Sequence, residues 1–96
     1  MPRKRDIEAA IAAHNAIDGP KQLLLPPETA RLLAAMFPRR SLWQGRAEGL
    51  VAKGFDRRTV RLLLRALIDT GFLSLEPAVR GLARTYHLHL PPQRRP

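Results

Sequence analysis

Periodicity, chain length and one change of pattern after Gly71 predict a mainly α domain carrying a small antiparallel β-hairpin. Up to Thr70 the apolar residues recur at intervals of three and four, the repeat of a helix with one buried face. Beyond Gly71 they alternate in Phe72-Leu73-Ser74-Leu75-Glu76 and again in Thr85-Tyr86-His87-Leu88-His89-Leu90, the repeat of half-buried strands. The chain has 96 residues, 45% of them hydrophobic, which suffices for one modest core and not for two. One domain is therefore expected over residues 6–92, between a basic arm at 1–5 and a basic tail at 93–96.

The arm, Met1 to Arg5, offers nothing to bury and reads as a solvated tail or as a segment reaching a phosphate backbone or minor groove. An extra helix is expected over residues 6–18, since Ile7, Ala10, Ile11, His14 and Ile17 share helical spacing and Asp18-Gly19-Pro20 ends the run. His14 falls at the boundary of its apolar face. Lys21 to Leu25 is too short for a helix and suits an edge strand or an extended connection before Pro26-Pro27. Pro27 and Glu28 open a second helix, with Ala30, Leu32, Leu33, Met36 and Phe37 on its buried side and Pro38 as its stop.

After Arg39 and Arg40, Ser41 with Gln44 three residues later has the form of a capping box, which predicts a third helix from Ser41 to about Lys53. Leu42, Trp43, Ala47, Leu50 and Val51 would supply its buried side, with Trp43 as a core anchor in preference to an exposed base-stacking platform. Gly45 and Gly49 weaken that helix by about 1 kcal/mol each relative to alanine and would allow another helix to approach closely.

The fourth helix, residues 57–70, has the clearest pattern. Asp56 is placed to cap its first N–H groups, and Gly71 supplies the left-handed residue that closes a helix. On an ideal wheel with Arg57 at zero, Leu63, Leu67, Val60, Leu64 and Ile68 span an arc from about 240° round to about 20°. Arg57, Arg61, Arg65 and Arg58 fall between zero and about 100°, with Asp69 as the sole nearby carboxylate. Leu62, at about 140°, lies outside the core arc; packing under the N-terminal helix is expected for it in preference to contact with a thymine methyl.

Seventeen Lys and Arg against eight Asp and Glu give a formal charge of +9, a balance that favours a polyanionic partner, with nucleic acid the default. The charge is concentrated: Arg39, Arg40, Arg46, Lys53, Arg57, Arg58, Arg61 and Arg65 face only Glu48 and Asp56 between positions 39 and 65. There is no cysteine, which removes disulfides, thiolate metal sites and cysteine catalysis. Neither a leader-type h-region nor a membrane-length apolar run is present, so an intracellular, cytoplasmic location is expected, nucleoid-associated when bound to DNA.

Two helices joined by the short Lys53-Gly54-Phe55 connection, the second cationic on its free face, form a helix-turn-helix by physical description. The run from Val51 to Pro92 also resembles the winged helix-turn-helix family of bacterial and phage DNA-binding proteins. The matching features are Thr59-Val60-Arg61, Ala66-Leu67, Gly71-Phe72-Leu73 and Tyr86-His87-Leu88, in that order, and with the preceding helices the likeness covers residues 27–92. The resemblance implies a winged helix-turn-helix fold in which the Asp56 helix enters the major groove and a wing at residues 77–84 grips backbone or minor groove.

On that basis Arg57, Arg58 and Thr59, in the first turn, meet phosphate, while Arg61 and Arg65 reach guanine edges. Arg80 and Arg84 contact DNA from the wing, and Arg39, Arg40 and Arg46 add phosphate contacts that set affinity without setting sequence. A small sequence-specific transcriptional regulator acting on double-stranded DNA is the expected function. A dimer built through residues 6–25 would present two reading helices to a two-fold site.

The alternative within the same fold is an accessory or adaptor protein of a phage or mobile element, working in replication, recombination or contacts with protein or RNA. An enzyme is disfavoured: Ser41 and Ser74 lack a paired base, and there is no Gly-rich phosphate loop. His87 and His89 on one strand face are two potential metal ligands without a third. No cofactor, metal or small-molecule ligand is expected.

Overall fold

The computed structural model describes residues 3–16, 24–90 and 92. Within them the chain is a small α+β domain of four helices and one three-stranded antiparallel sheet. In chain order these are α1 (Lys4–Asn15), α2 (Glu28–Met36), β1 (Leu42–Gly45), α3 (Ala47–Val51), α4 (Arg57–Asp69), β2 (Leu73–Leu75) and β3 (Arg84–Leu88).

The N-terminal arm is shorter than its composition suggests, because Lys4 and Arg5 already belong to α1 and Asp6 accepts the Arg3 backbone N–H at 3.4 Å. Ile7 and Ile11 are buried as their spacing requires, and α1 packs on α2. His14 is a core residue and not a boundary one: it is 5% exposed, with its ring edge-on to Phe72 at 5.8 Å. The expected stop at Asp18-Gly19-Pro20, with Ile17 and the 21–23 part of the following connection, lies outside the described residues, as does the 93–96 tail. Where the chain returns, Asn15 grips Leu25 at both ends of the side-chain amide: Nδ2 donates to the Leu25 carbonyl and Oδ1 accepts its N–H, both at 2.9 Å. That pair of bonds does for two backbone groups what a strand neighbour would, and it lets Leu25 be buried. In α2, Leu32, Leu33 and Met36 are buried, with Phe37 just beyond its end.

The helix expected from Ser41 to Lys53 does not form. Leu42–Gly45 is a strand instead, and only Ala47–Val51 is helical. β1 pairs antiparallel with β3 in the register Leu42 with His87 and Gly45 with Arg84, and β2 pairs with the other edge of β3, giving the order β1-β3-β2. The hairpin is thus extended to three strands by a segment some forty residues upstream. Leu42 is consequently exposed and not in the core, while Trp43 is half-buried on the opposite face, its ring 5.7 Å from that of Tyr86. Gly45 admits no neighbouring helix; the Trp43 indole lies over it, and nothing approaches Gly49.

α3 packs against α4, and the connection between them is anchored from outside. Lys53 Nζ donates to the Ala35 carbonyl at 3.3 Å near the C-terminus of α2, and Arg31 lies 4.7 Å from the centre of the Phe55 ring. The core joins Ile7, Leu32, Leu33, Met36, Phe37, Leu50, Val60, Leu67 and Phe72 into one cluster. No described helix is long and apolar enough to cross a membrane.

Candidate nucleic-acid interface

α4 is built as its pattern requires. Asp56 Oδ2 accepts the Thr59 backbone N–H at 3.0 Å, supplying a partner for one of the free donors of the first turn. Those hydrogen bonds, first the Thr59 backbone N–H and then the Thr59 hydroxyl, hold the Asp56 carboxyl below its ordinary range. At the other end Gly71, with φ of 85°, takes the left-handed conformation that turns the chain into β2. Val60, Leu63, Leu64 and Leu67 are buried and Ile68 is half-buried, so the apolar arc faces the core throughout.

Arg57, Arg58, Arg61 and Arg65 are all exposed on the other side. The Arg65 guanidinium has a partner, Asp69 Oδ1 at 3.4 Å from Nε one turn on, yet its side chain keeps 80% of its accessible surface. Such an exposed pair is worth little and leaves the remaining guanidinium donors open. Four cationic side chains spaced over two turns at this exposure form a ridge that a row of phosphates or acceptor-rich base edges would complement.

Two residues of α4 depart from expectation. Thr59 is half-buried and its hydroxyl donates to Asp56 Oδ2 at 3.1 Å, so it serves the cap and is not presented as an independent phosphate donor. Leu62, expected to pack beneath the N-terminal helix, is 63% exposed. The wheel carried that signal, since about 140° lies outside the core arc; the general tendency of leucine to be buried was the poorer guide here.

The other basic residues fall into two groups. Arg84 opens β3 opposite Gly45, the residue before Arg46, so Arg46 and Arg84 leave the sheet from adjacent backbone positions. Arg80 sits in the connecting loop that begins at Glu76 and ends before Arg84. Its tip is a turn closed by the Leu82 N–H on the Val79 carbonyl at 3.0 Å, with Gly81 at φ of 82°. The structure therefore brings Arg46, Arg80 and Arg84 to one end of the sheet, all exposed. Arg39 and Arg40, also exposed, precede β1 at its opposite end, about 13 Å away along a four-residue strand. The expected wing at 77–84 thus separates into a loop and the first residue of a strand.

On the outer face of the sheet His87 and His89 each have a neighbour across the hairpin. His87 Nε2 lies 2.8 Å from Glu76 Oε1, and His89 Nε2 lies 2.7 Å from Ser74 Oγ. Among the described residues no group of three or more His, Cys, Asp or Glu side chains is arranged to hold a metal ion. Two features had no warning in the sequence: Val79 and Leu82, both exposed at the loop tip beside Arg80, and the hydrogen bond that ties exposed Lys53 to α2. No protein-family model, curated protein or solved structure matches the chain.

Proposed function

We propose that this protein binds double-stranded DNA in a sequence-dependent way, with α4 lying in the major groove and the Glu76–Arg84 connection gripping adjacent backbone or minor groove. The observation that carries the reading is the exposure of all four α4 arginines on a helix whose opposite side is fully committed to the core. A winged helix-turn-helix is supported by the order of elements, with α3 and α4 joined by a short turn and followed by a hairpin whose free edge is completed by β1. The cluster of Arg46, Arg80 and Arg84 supports backbone contact from the sheet end. The simplest role for such a domain is a small transcriptional regulator acting in the cytoplasm.

A second reading, an accessory or adaptor domain that meets another protein, draws its support from the exposed Val79 and Leu82 at the loop tip. Titration against duplex DNA over a range of salt concentrations separates the two. Neutralising five or six phosphates gives a log-log slope of roughly −5, whereas an apolar protein contact changes little with salt. Duplex RNA in parallel tests the groove: its deep narrow major groove excludes a helix, so binding to RNA as tight as to DNA would overturn major-groove reading.

A further inference from the structure

We propose that Leu62 recognises the 5-methyl group of a thymine, which makes it a determinant of sequence choice on the arginine face of α4. The inference rests on the duplex-DNA reading above. The four buried residues Val60, Leu63, Leu64 and Leu67 point, on average, toward about 290° on the wheel that puts Arg57 at zero. Straight away from the core is therefore about 110°. Arg65 at about 80°, Arg58 at about 100°, Asp69 at about 120° and Leu62 at about 140° surround that direction, while Arg57 at zero and Arg61 at about 40° lie on the flank, either side of half-buried Ile68.

Leu62 thus belongs to the outermost stripe of the helix, four residues after Arg58 and three before Arg65, and at 63% exposure it does no work for the core. A helix lying in the major groove presents this stripe to base edges. Those edges are hydrogen-bonding groups with one exception, the thymine methyl. A branched aliphatic side chain pressed against a guanine, adenine or cytosine edge would leave donors and acceptors without partners, which is costly; against a methyl it buries apolar surface on both sides. The neighbouring guanidiniums favour the same partner, because their charge brings the stripe to a polyanion. Arg65 does not cover the leucine, since its Nε is drawn to Asp69 on the following turn.

The experiment uses the full chain and a duplex enriched from a random pool, with each thymine in turn replaced by deoxyuridine, which lacks only the methyl. Burial of one methyl is worth about 0.8 kcal/mol, so wild-type protein should lose about fourfold in affinity at one or two positions and nothing elsewhere. Leu62→Ala, expected to fold normally because the side chain is exposed, should bind the thymine and deoxyuridine duplexes alike. Wild-type binding that is indifferent to every such replacement, an enriched site without thymine, or a Leu62→Ala protein as sensitive as wild type would overturn the proposal while leaving duplex binding intact. Failure to bind any duplex would overturn the DNA reading itself, and this inference with it.

Discussion

A Cβ built on Gly45 would lie 2.6 Å from Trp43 Cζ2 and 2.8 Å from Cη2, so the indole fills the space that any other residue's side chain would need. The ring is rigid and also rests against Tyr86, so it has no easy way to yield. Gly45→Ala should lower stability by about 1–3 kcal/mol in denaturant unfolding. It should also shift the fluorescence of Trp43, the single tryptophan of the chain, toward longer wavelength as the ring moves into water. An unchanged spectrum would mean that the indole does not rest on this glycine. Thr29 poses the opposite case. It is fully buried, and its Oγ1 has no hydrogen-bond partner among the described residues. Thr29→Val keeps the shape and removes the unsatisfied hydroxyl, so it should stabilise the fold by about 1 kcal/mol. Equal or lower stability would point to a partner for that oxygen.

α4 carries two predictions, one for its end and one for its face. The Asp56 carboxyl titrates below its ordinary range because its ionised form accepts from Thr59. A carboxyl with a depressed folded pKa stabilises the native state above its unfolded pKa and loses that contribution as the pH falls through the folded value. Thermal melts followed by circular dichroism from neutral pH down to about pH 2 should therefore show a smaller acid-induced loss for Asp56→Ala than for wild type. Identical pH profiles would remove the cap as a source of acid sensitivity. On the face of the helix, Arg65→Ala, on the outermost stripe, should relax preference at particular base pairs, whereas Arg57→Ala and Arg61→Ala, on the flank beside Ile68, should weaken binding to all sequences alike. Binding-site selection on the three variants checks this, and the same altered preference in all three would show that the arginines do not divide the work. α3 and β1 show how an element can be misread. Ser41 and Gln44 have the residue types of a capping box, but the helix they would open contains Gly45 and Gly49, each unfavourable by about 1 kcal/mol relative to alanine, while pairing with β3 satisfies the backbone groups of Leu42–Gly45.

The molecule as a whole is small enough that its charge and its core compete for the same segments. Lys53 and Arg31 stay exposed, yet each also makes a contact that ties elements together, Lys53 with the Ala35 carbonyl and Arg31 with the Phe55 ring. Between positions 39 and 84 the exposed arginines form a ridge along α4, a cluster at the Arg46 and Arg84 end of the sheet, and a pair, Arg39 and Arg40, at the other end of β1. If duplex binding uses the first two groups together, combining Arg80→Ala with Arg84→Ala should flatten the log-log salt slope by about 2 while leaving base preference unchanged. A slope equal to that of wild type would mean that the sheet end does not touch the backbone.

The helices α1, α2 and α4, the two strands after Gly71 and the arginine face were legible in the amino-acid order because each depends on contacts within about one turn or on a simple alternation. A helix makes its hydrogen bonds inside its own segment, and Asp56, Thr59 and Gly71 mark its ends locally. Residues 42–45 had no such local resolution. A strand is stable only with a neighbour, and theirs is β3, whose register sets Leu42 against His87. The positions of Trp43, Gly45, Arg46 and Leu42 all follow from that distant pairing. The contact of Lys53 with the Ala35 carbonyl likewise depends on what the rest of the chain brings near it, and that only the folded molecule supplies.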